Sequence, residues 1–266
     1  MLNLGLKSEY VISFFGLGIT NTFLTSLVVT VLLSGLAMLA YFSPQGRGGI
    51  FVRGMRVIVA ESLKLIDMVT QDRRISKKVL PLILTFFIFI VTANLLALVP
   101  GFLGALYVTT SSGRLSLFRS PNSDLTTTLA LALISVVSVQ YFSIDFLGLK
   151  GFILRFINFR SPTDFILGML EMISETVRII SFSFRLFGNV FAGEVLLLIA
   201  AFFLPYVLPL PFMVLELFVG TIQAFIFSIL TLAFVKTATV PGKDIETATV
   251  KKNLTSELIP NTQPNI

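Results

Sequence analysis

No charged residue occurs between Glu9 and Arg47, nor between Lys78 and Arg114. Each stretch is long enough to cross a hydrocarbon core of roughly 30 Å as a helix, and soluble core helices rarely run that far without charge. With 55% hydrophobic residues and a mean hydropathy of +0.92, the chain has too little polar surface to coat a soluble domain. Its apolar surface therefore belongs in lipid. An unpaired backbone is not tolerated there, so the spans read as helices. They fall at residues 19–42, 79–100, 125–147, 165–201 and 206–240. The expected fold is an all-α integral membrane protein of about five transmembrane helices, the last two long and tilted as a hairpin. Residues 1–240 are expected to form a single membrane domain, and the polar residues 241–266, with Pro260 and Pro264, a cytoplasmic tail.

The connections set an orientation. The first, residues 43–78, holds Arg47, Arg53, Arg56, Lys64, Arg73, Arg74, Lys77 and Lys78, whereas the second holds only Arg114 and Arg119. The third carries Lys150, Arg155 and Arg160, and the fourth carries no cation. The positive-inside rule then places the first and third in the cytoplasm, the N-terminus outside and the C-terminus inside. The net charge of +6 is thus a matter of topology and gives no reason to expect nucleic acid. Lys7 precedes a long apolar segment with no small-residue cleavage site, so the first span is expected to be retained. Having no cysteine and no histidine, the chain lacks thiol chemistry, the usual metal ligand and the usual near-neutral proton shuttle. No metal and no cofactor are expected, and any proton work falls to carboxylates.

Within the first connection, residues 52–69 mix Val57, Ile58, Leu65 and Ile66 with Arg53, Arg56, Lys64 and Asp67, the pattern of an amphipathic helix lying in the interface. Ser161-Pro162-Thr163-Asp164 predicts a helix start, with a capping serine, proline in the first turn and an acid at the positive end of the dipole. Asn122-Ser123-Asp124 opens the third span in the same way. No internal repeat is visible, which weighs against an inverted-repeat transporter.

The fourth span is the anomaly. It holds Glu171, Glu175, Arg178, Arg185 and Glu194 in a segment otherwise as apolar as its neighbours, and each such charge costs a few kcal/mol at the bilayer centre. On an ideal helix Glu171, Glu175, Arg178, Arg185 and Asn189 fall within an arc of roughly 80°, a polar stripe that must meet protein or water. Glu194 lies about 180° from Arg185, although Gly188 and Gly193 between them allow a bend. If the last two spans fold back near Leu204-Pro205, residues whose numbers sum to about 409 lie level, which sets Arg185 opposite Gln223 and Glu194 opposite Glu216. At 1.5 Å per residue, Glu194 stands about 13 Å to the outer side of Arg185 and Glu175 about 15 Å to the inner side. A bundle-holding ion pair is the competing reading of Arg185. Glu171 and Arg178 are close enough to the cytoplasmic end to snorkel.

The run Phe184-Arg185-Leu186-Phe187-Gly188-Asn189-Val190-Phe191-Ala192-Gly193-Glu194 closely resembles the signature of subunit a of F-type rotary ATP synthases, and Gly220-Thr221-Ile222-Gln223-Ala224-Phe225-Ile226-Phe227 resembles the second signature of that family. Asn94-Leu95-Leu96 ahead of Pro100, and Asn122-Ser123-Asp124-Leu125, are weaker matches in the right order. The resemblance covers about residues 80–240 and implies a non-catalytic stator subunit of the membrane sector. In this family its long last helices press on a rotating ring of c subunits, each bearing a buried carboxylate, beside peripheral-stalk b subunits and other subunits of the synthase. A bacterial plasma membrane, or an organellar inner membrane, is the location implied.

By the same resemblance Arg185 is the essential arginine that separates two aqueous half-channels, and Asn189 and Gln223 help orient it. Asn94, Asp124, Glu194 and Glu216 would line the outer half-channel and Glu171 the inner one. Glu175, on the same stripe, is added here on position alone. Where many relatives carry a histidine at one of the positions of Glu194 and Glu216, this chain has carboxylates at both. The two acids are expected to share a proton. Oxygen ligands also leave sodium open, with the proton preferred. A stand-alone channel or secondary transporter, and a structural anchor for a membrane complex, are the alternatives.

Overall fold

The computed structural model describes residues 10–14, 17–42, 49–98, 107–110, 113–116, 119–156, 162–205 and 207–239. The expected tail, Pro100, the capping Ser161 and the two end residues of the fifth span lie outside the described residues. Among the described residues six α-helices carry the fold: α1 Asn21–Phe42, α2 Ile50–Thr70, α3 Arg73–Leu98, α4 Leu125–Phe156, α5 Pro162–Phe203 and α6 Pro209–Thr239. All but α2 contain a stretch long and apolar enough to cross a membrane. Two short antiparallel hairpins, unforeseen in the sequence, stand in the connections. β1 Tyr10–Phe14 pairs with β2 Leu17–Thr20 ahead of α1, and β3 Tyr107–Thr110 pairs with β4 Gly113–Ser116 between α3 and α4.

The helix boundaries have local causes. Thr20 accepts the amide of Phe23 at 3.3 Å at the start of α1, and Asp72 accepts the amide of Arg74 at 2.8 Å at the start of α3. Such side-chain acceptors replace bonds that the first turn of a helix cannot make within itself. α2 ends at Gln71, whose left-handed φ of 57° turns its amide back to the Asp67 carbonyl. An Arg73–Asp67 ion pair closes the same corner, and the hydroxyls of Thr70 and Ser76 meet inside it at 2.6 Å. A single 3-10 turn, Pro121–Ser123, leads into α4. Asp124 caps that helix by accepting the Thr126 amide at 2.9 Å, as the opening motif predicts. α4 runs nine residues beyond the expected end at 147 and is broken at Gly148, whose φ of 74° and ψ of 164° suit glycine alone. α5 begins at Pro162, the proline-first start expected, and is continuous to Phe203 through both Gly188 and Gly193. Its 42 residues make about 63 Å of helix at 1.5 Å per residue, about twice a hydrocarbon core of roughly 30 Å.

The helices divide between two compact units, residues 1–136 with 177–233, and residues 137–176 with 234–266. In the first, the interior is made from one face of each helix. Phe227 of α6 lies edge-on to Phe86 of α3 at 5.3 Å and against Phe182 of α5 at 5.0 Å. Ser135 and Thr231 share a hydrogen bond of 2.8 Å, and Thr128 and Ser183 one of 3.2 Å. Small polar residues at such crossings let helices approach and bond where lipid offers no hydrophobic drive to associate. Large apolar side chains point outward instead, among them Val31, Leu39, Phe184, Phe218 and Ile222. In the second unit Ser143 donates to the Ala238 carbonyl at 3.0 Å, and the carbonyl of Phe156 lies so close to Gly168 that no side chain fits there.

Candidate functional site

The polar residues of the first unit gather where α1, α4 and α6 begin and α3 ends. Asn94, 5% exposed near the end of α3, is held at both ends of its amide. Its Oδ1 accepts from Asn122 Nδ2 at 2.7 Å, and its Nδ2 donates to the Gly220 carbonyl of α6 at 3.0 Å. Gly220 permits this, since a Cβ there would sit 3.2 Å from that of Asn94. Asp124 spends one carboxylate oxygen on the α4 cap and takes the Thr22 hydroxyl of α1 on the other at 2.9 Å. Two members of the expected outer set are thus built into a bonded frame that ties α1, α3, α4 and α6 together.

Glu194 and Glu216 meet that frame from the last two helices. The Glu216 carboxylate lies directly against Gly193, where any Cβ would collide with it. These two residues satisfy the sum of 409, so the hairpin has the register read from the sequence. Glu194 points to a residue that entered the sequence reading only as a loop cation. Its Oε2 lies 3.5 Å from Arg119 Nη2, with the two side chains 24% and 11% exposed. Arg119 is itself anchored, its Nε donating to Ser123 Oγ at 3.1 Å and its backbone amide to Thr25 Oγ1 at 3.1 Å. The other carboxylate oxygen of Glu194 is buried without a hydrogen-bond partner among the described residues.

Arg185 is on the other side of α5. Leu186 and Val190 of that helix are buried, whereas Ser181, Phe184, Arg185 and Gly188 form an exposed strip. Among the described residues, the one polar partner of Arg185 is the Ser181 hydroxyl at 3.5 Å. Gln223 is buried and the Asn189 amide nitrogen is buried without a partner among the described residues, and neither is brought within hydrogen-bonding distance of the guanidinium.

In the second unit Arg155, at the end of α4, draws two acids of the stripe together. It pairs with Glu171 and stands 3.8 Å from Glu175 Oε1, and its guanidinium carbon lies 5.6 Å from the Phe156 ring centre. Neither Arg155 nor Arg119 carries a signal in a single sequence beyond its charge. Among the described residues, no group of acids is arranged to hold a metal ion.

Five helices long and apolar enough to cross a membrane, with charged side chains among them, define a polytopic helical membrane protein. A family model described as ATP synthase A chain matches residues 22–236. ATP synthase subunit a of Moorella thermoacetica is 38% identical over 159 residues, 60% of this chain and 64% of that one. The subunit a of Campylobacter jejuni is 33% identical over 168 residues, 62% and 66%. The ATP synthase subunit a 2 of a Bradyrhizobium species is 32% identical over 224 residues, 81% and 89%. The matches span just under two thirds of the Moorella and Campylobacter chains. The chain belongs to the ATP synthase A chain family and is an integral membrane protein.

Proposed function

We propose that this chain is the ion-conducting, non-catalytic stator subunit of a rotary ATP synthase, working against a rotating ring of carboxylate-bearing c subunits and anchored beside peripheral-stalk b subunits. The observation that carries the reading is the setting of Arg185: a permanent charge on an apolar, outward face, with no acid of the described residues paired to it. A charge so placed costs a few kcal/mol in lipid unless another molecule supplies the counterion. A ring carboxylate is that counterion. Guanidinium does not deprotonate, so Arg185 holds each passing carboxylate ionised and blocks direct transfer of a proton between two half-channels.

The proton reaches the ring along carboxylates on the outer side. Among the described residues one buried oxygen of Glu194 has no donor, and Glu216 stands beside it against Gly193, which suits a pair that takes up and passes on a proton. Asn94 and Asp124 frame this path. On the inner side Glu171 and Glu175, around Arg155, serve the exit. Asn189 and Gln223 complete the surroundings of Arg185. The N-terminus lies outside and the C-terminus in the cytoplasm of a bacterial cell, with residues 1–240 acting as one membrane domain. Each proton moving inward releases about 2.3 kcal/mol per 100 mV, which drives rotation.

The test is Arg185→Ala in the assembled complex. ATP-driven proton pumping into inverted vesicles should be lost while the complex still purifies intact. Normal pumping would refute the reading, and a stand-alone channel would instead conduct without the other subunits.

A further inference from the structure

The geometry points to Arg119 as a positioning residue of the outer ion path, holding the Glu194 carboxylate in place beside Glu216; the assignment rests on the stator reading above. An arginine that is 9% exposed must have its charge met locally, because a buried unpaired cation is strongly destabilising. Glu194, at 3.5 Å, is an acid that meets it. Arg119 has little freedom to move away. Its backbone amide is bonded to Thr25 of α1, and its Nε to Ser123, which in turn donates to the Ser120 carbonyl at 2.9 Å. The guanidinium is therefore fixed by the turn before α4 and not by the helix that carries Glu194. Only one oxygen of Glu194 is engaged in this way, and the other is left without a donor among the described residues. An arginine that grips one oxygen and leaves its neighbour open orients a carboxylate for transfer without occupying the atom that receives the proton.

The division of labour follows from placement. Glu216 has Gly193 beneath its carboxylate, so the two acids stand at one level of the hairpin while Arg119 approaches only Glu194. Removing Arg119 frees Glu194 to swing, and proton transfer between acids is steep in distance and angle.

The experiment compares Arg119→Gln, Arg119→Lys, Glu194→Gln and the double variant Arg119→Gln/Glu194→Gln in the whole synthase, reading ATP-driven pumping per assembled complex. Loss of one charge-assisted hydrogen bond predicts a fall of about tenfold or more for Arg119→Gln. Arg119→Lys should recover most of it, and the double variant should pump no worse than Glu194→Gln alone. Wild-type pumping by Arg119→Gln, or losses that multiply in the double variant, would overturn the assignment. If Arg119→Gln does not assemble, the double variant, which removes both charges of the Arg119–Glu194 pair, should assemble and pump like Glu194→Gln; its failure to assemble would also overturn it. Arg185→Ala run alongside separates the two readings, since normal pumping there removes the stator function whatever Arg119 does.

Discussion

Replacing Asn94 with alanine should destabilise the protein more than its modest volume suggests. The side chain is 5% exposed and makes two bonds, from Asn122 Nδ2 at 2.7 Å and to the Gly220 carbonyl at 3.0 Å. Between membrane helices such bonds average about 0.6 kcal/mol and reach about 1.7 kcal/mol, so the pair is worth about 1–3 kcal/mol. The Gly220 carbonyl keeps its helical partner, but the Asn122 amide, on a residue with no exposed surface, loses its acceptor and adds about 1 kcal/mol or more. The expected total is about 2–4 kcal/mol. It can be read from unfolding of the purified chain in mixed micelles titrated with SDS. A cycle of Asn94→Ala, Asn122→Ala and the double variant should give a coupling of about 0.6–1.7 kcal/mol. An Asn94→Ala change under about 0.5 kcal/mol would refute the view that Asn94 clamps α3 to its neighbours, and strictly additive single effects would refute its bond to the turn before α4.

Gly193→Ala should leave the complex assembled, because the atoms its Cβ meets are the flexible end of Glu216. It should nonetheless displace that carboxyl and cut proton pumping severalfold, measured as vesicle acidification at matched ATPase content. Arg155→Gln removes the shared counterion of Glu171 and Glu175 and should cost about 1–3 kcal/mol by the same SDS titration, the range for hydrogen bonds to charged groups. An additional Glu171→Gln should then cost little more.

The features legible in the sequence were those with a long or repeated signature. Long apolar runs, the first two free of charge, mark the five spans, and the single turn near Pro205 sets a register that Gly193 and Glu216 obey. Asp124 could be read as a cap because capping is local, a matter of a few adjacent residues. Arg119 and Arg155 could not be singled out, since in one sequence a loop cation speaks only to topology and the acids they meet lie on another helix. Glu194 and Glu216 are in consequence not two acids alone, since a buried arginine stands beside one of them. The hairpins escaped notice because strands of four or five residues offer too few positions for an alternating pattern. Gly188 and Gly193, read as possible bends, lie within an unbroken α5.

The central claim is that the exposed strip of α5 around Arg185 faces a second, small subunit carrying a carboxylate. The chain contains no cysteine, and a Cβ at Gly188, one turn from Arg185, would meet nothing within 4 Å, so Gly188→Cys provides a single clean attachment point. Labelled with a short photoreactive maleimide in the intact complex and illuminated, it should form one dominant cross-linked product with a ring subunit, at the helix bearing the ring carboxylate. Products confined to lipid or to this chain itself would contradict the account.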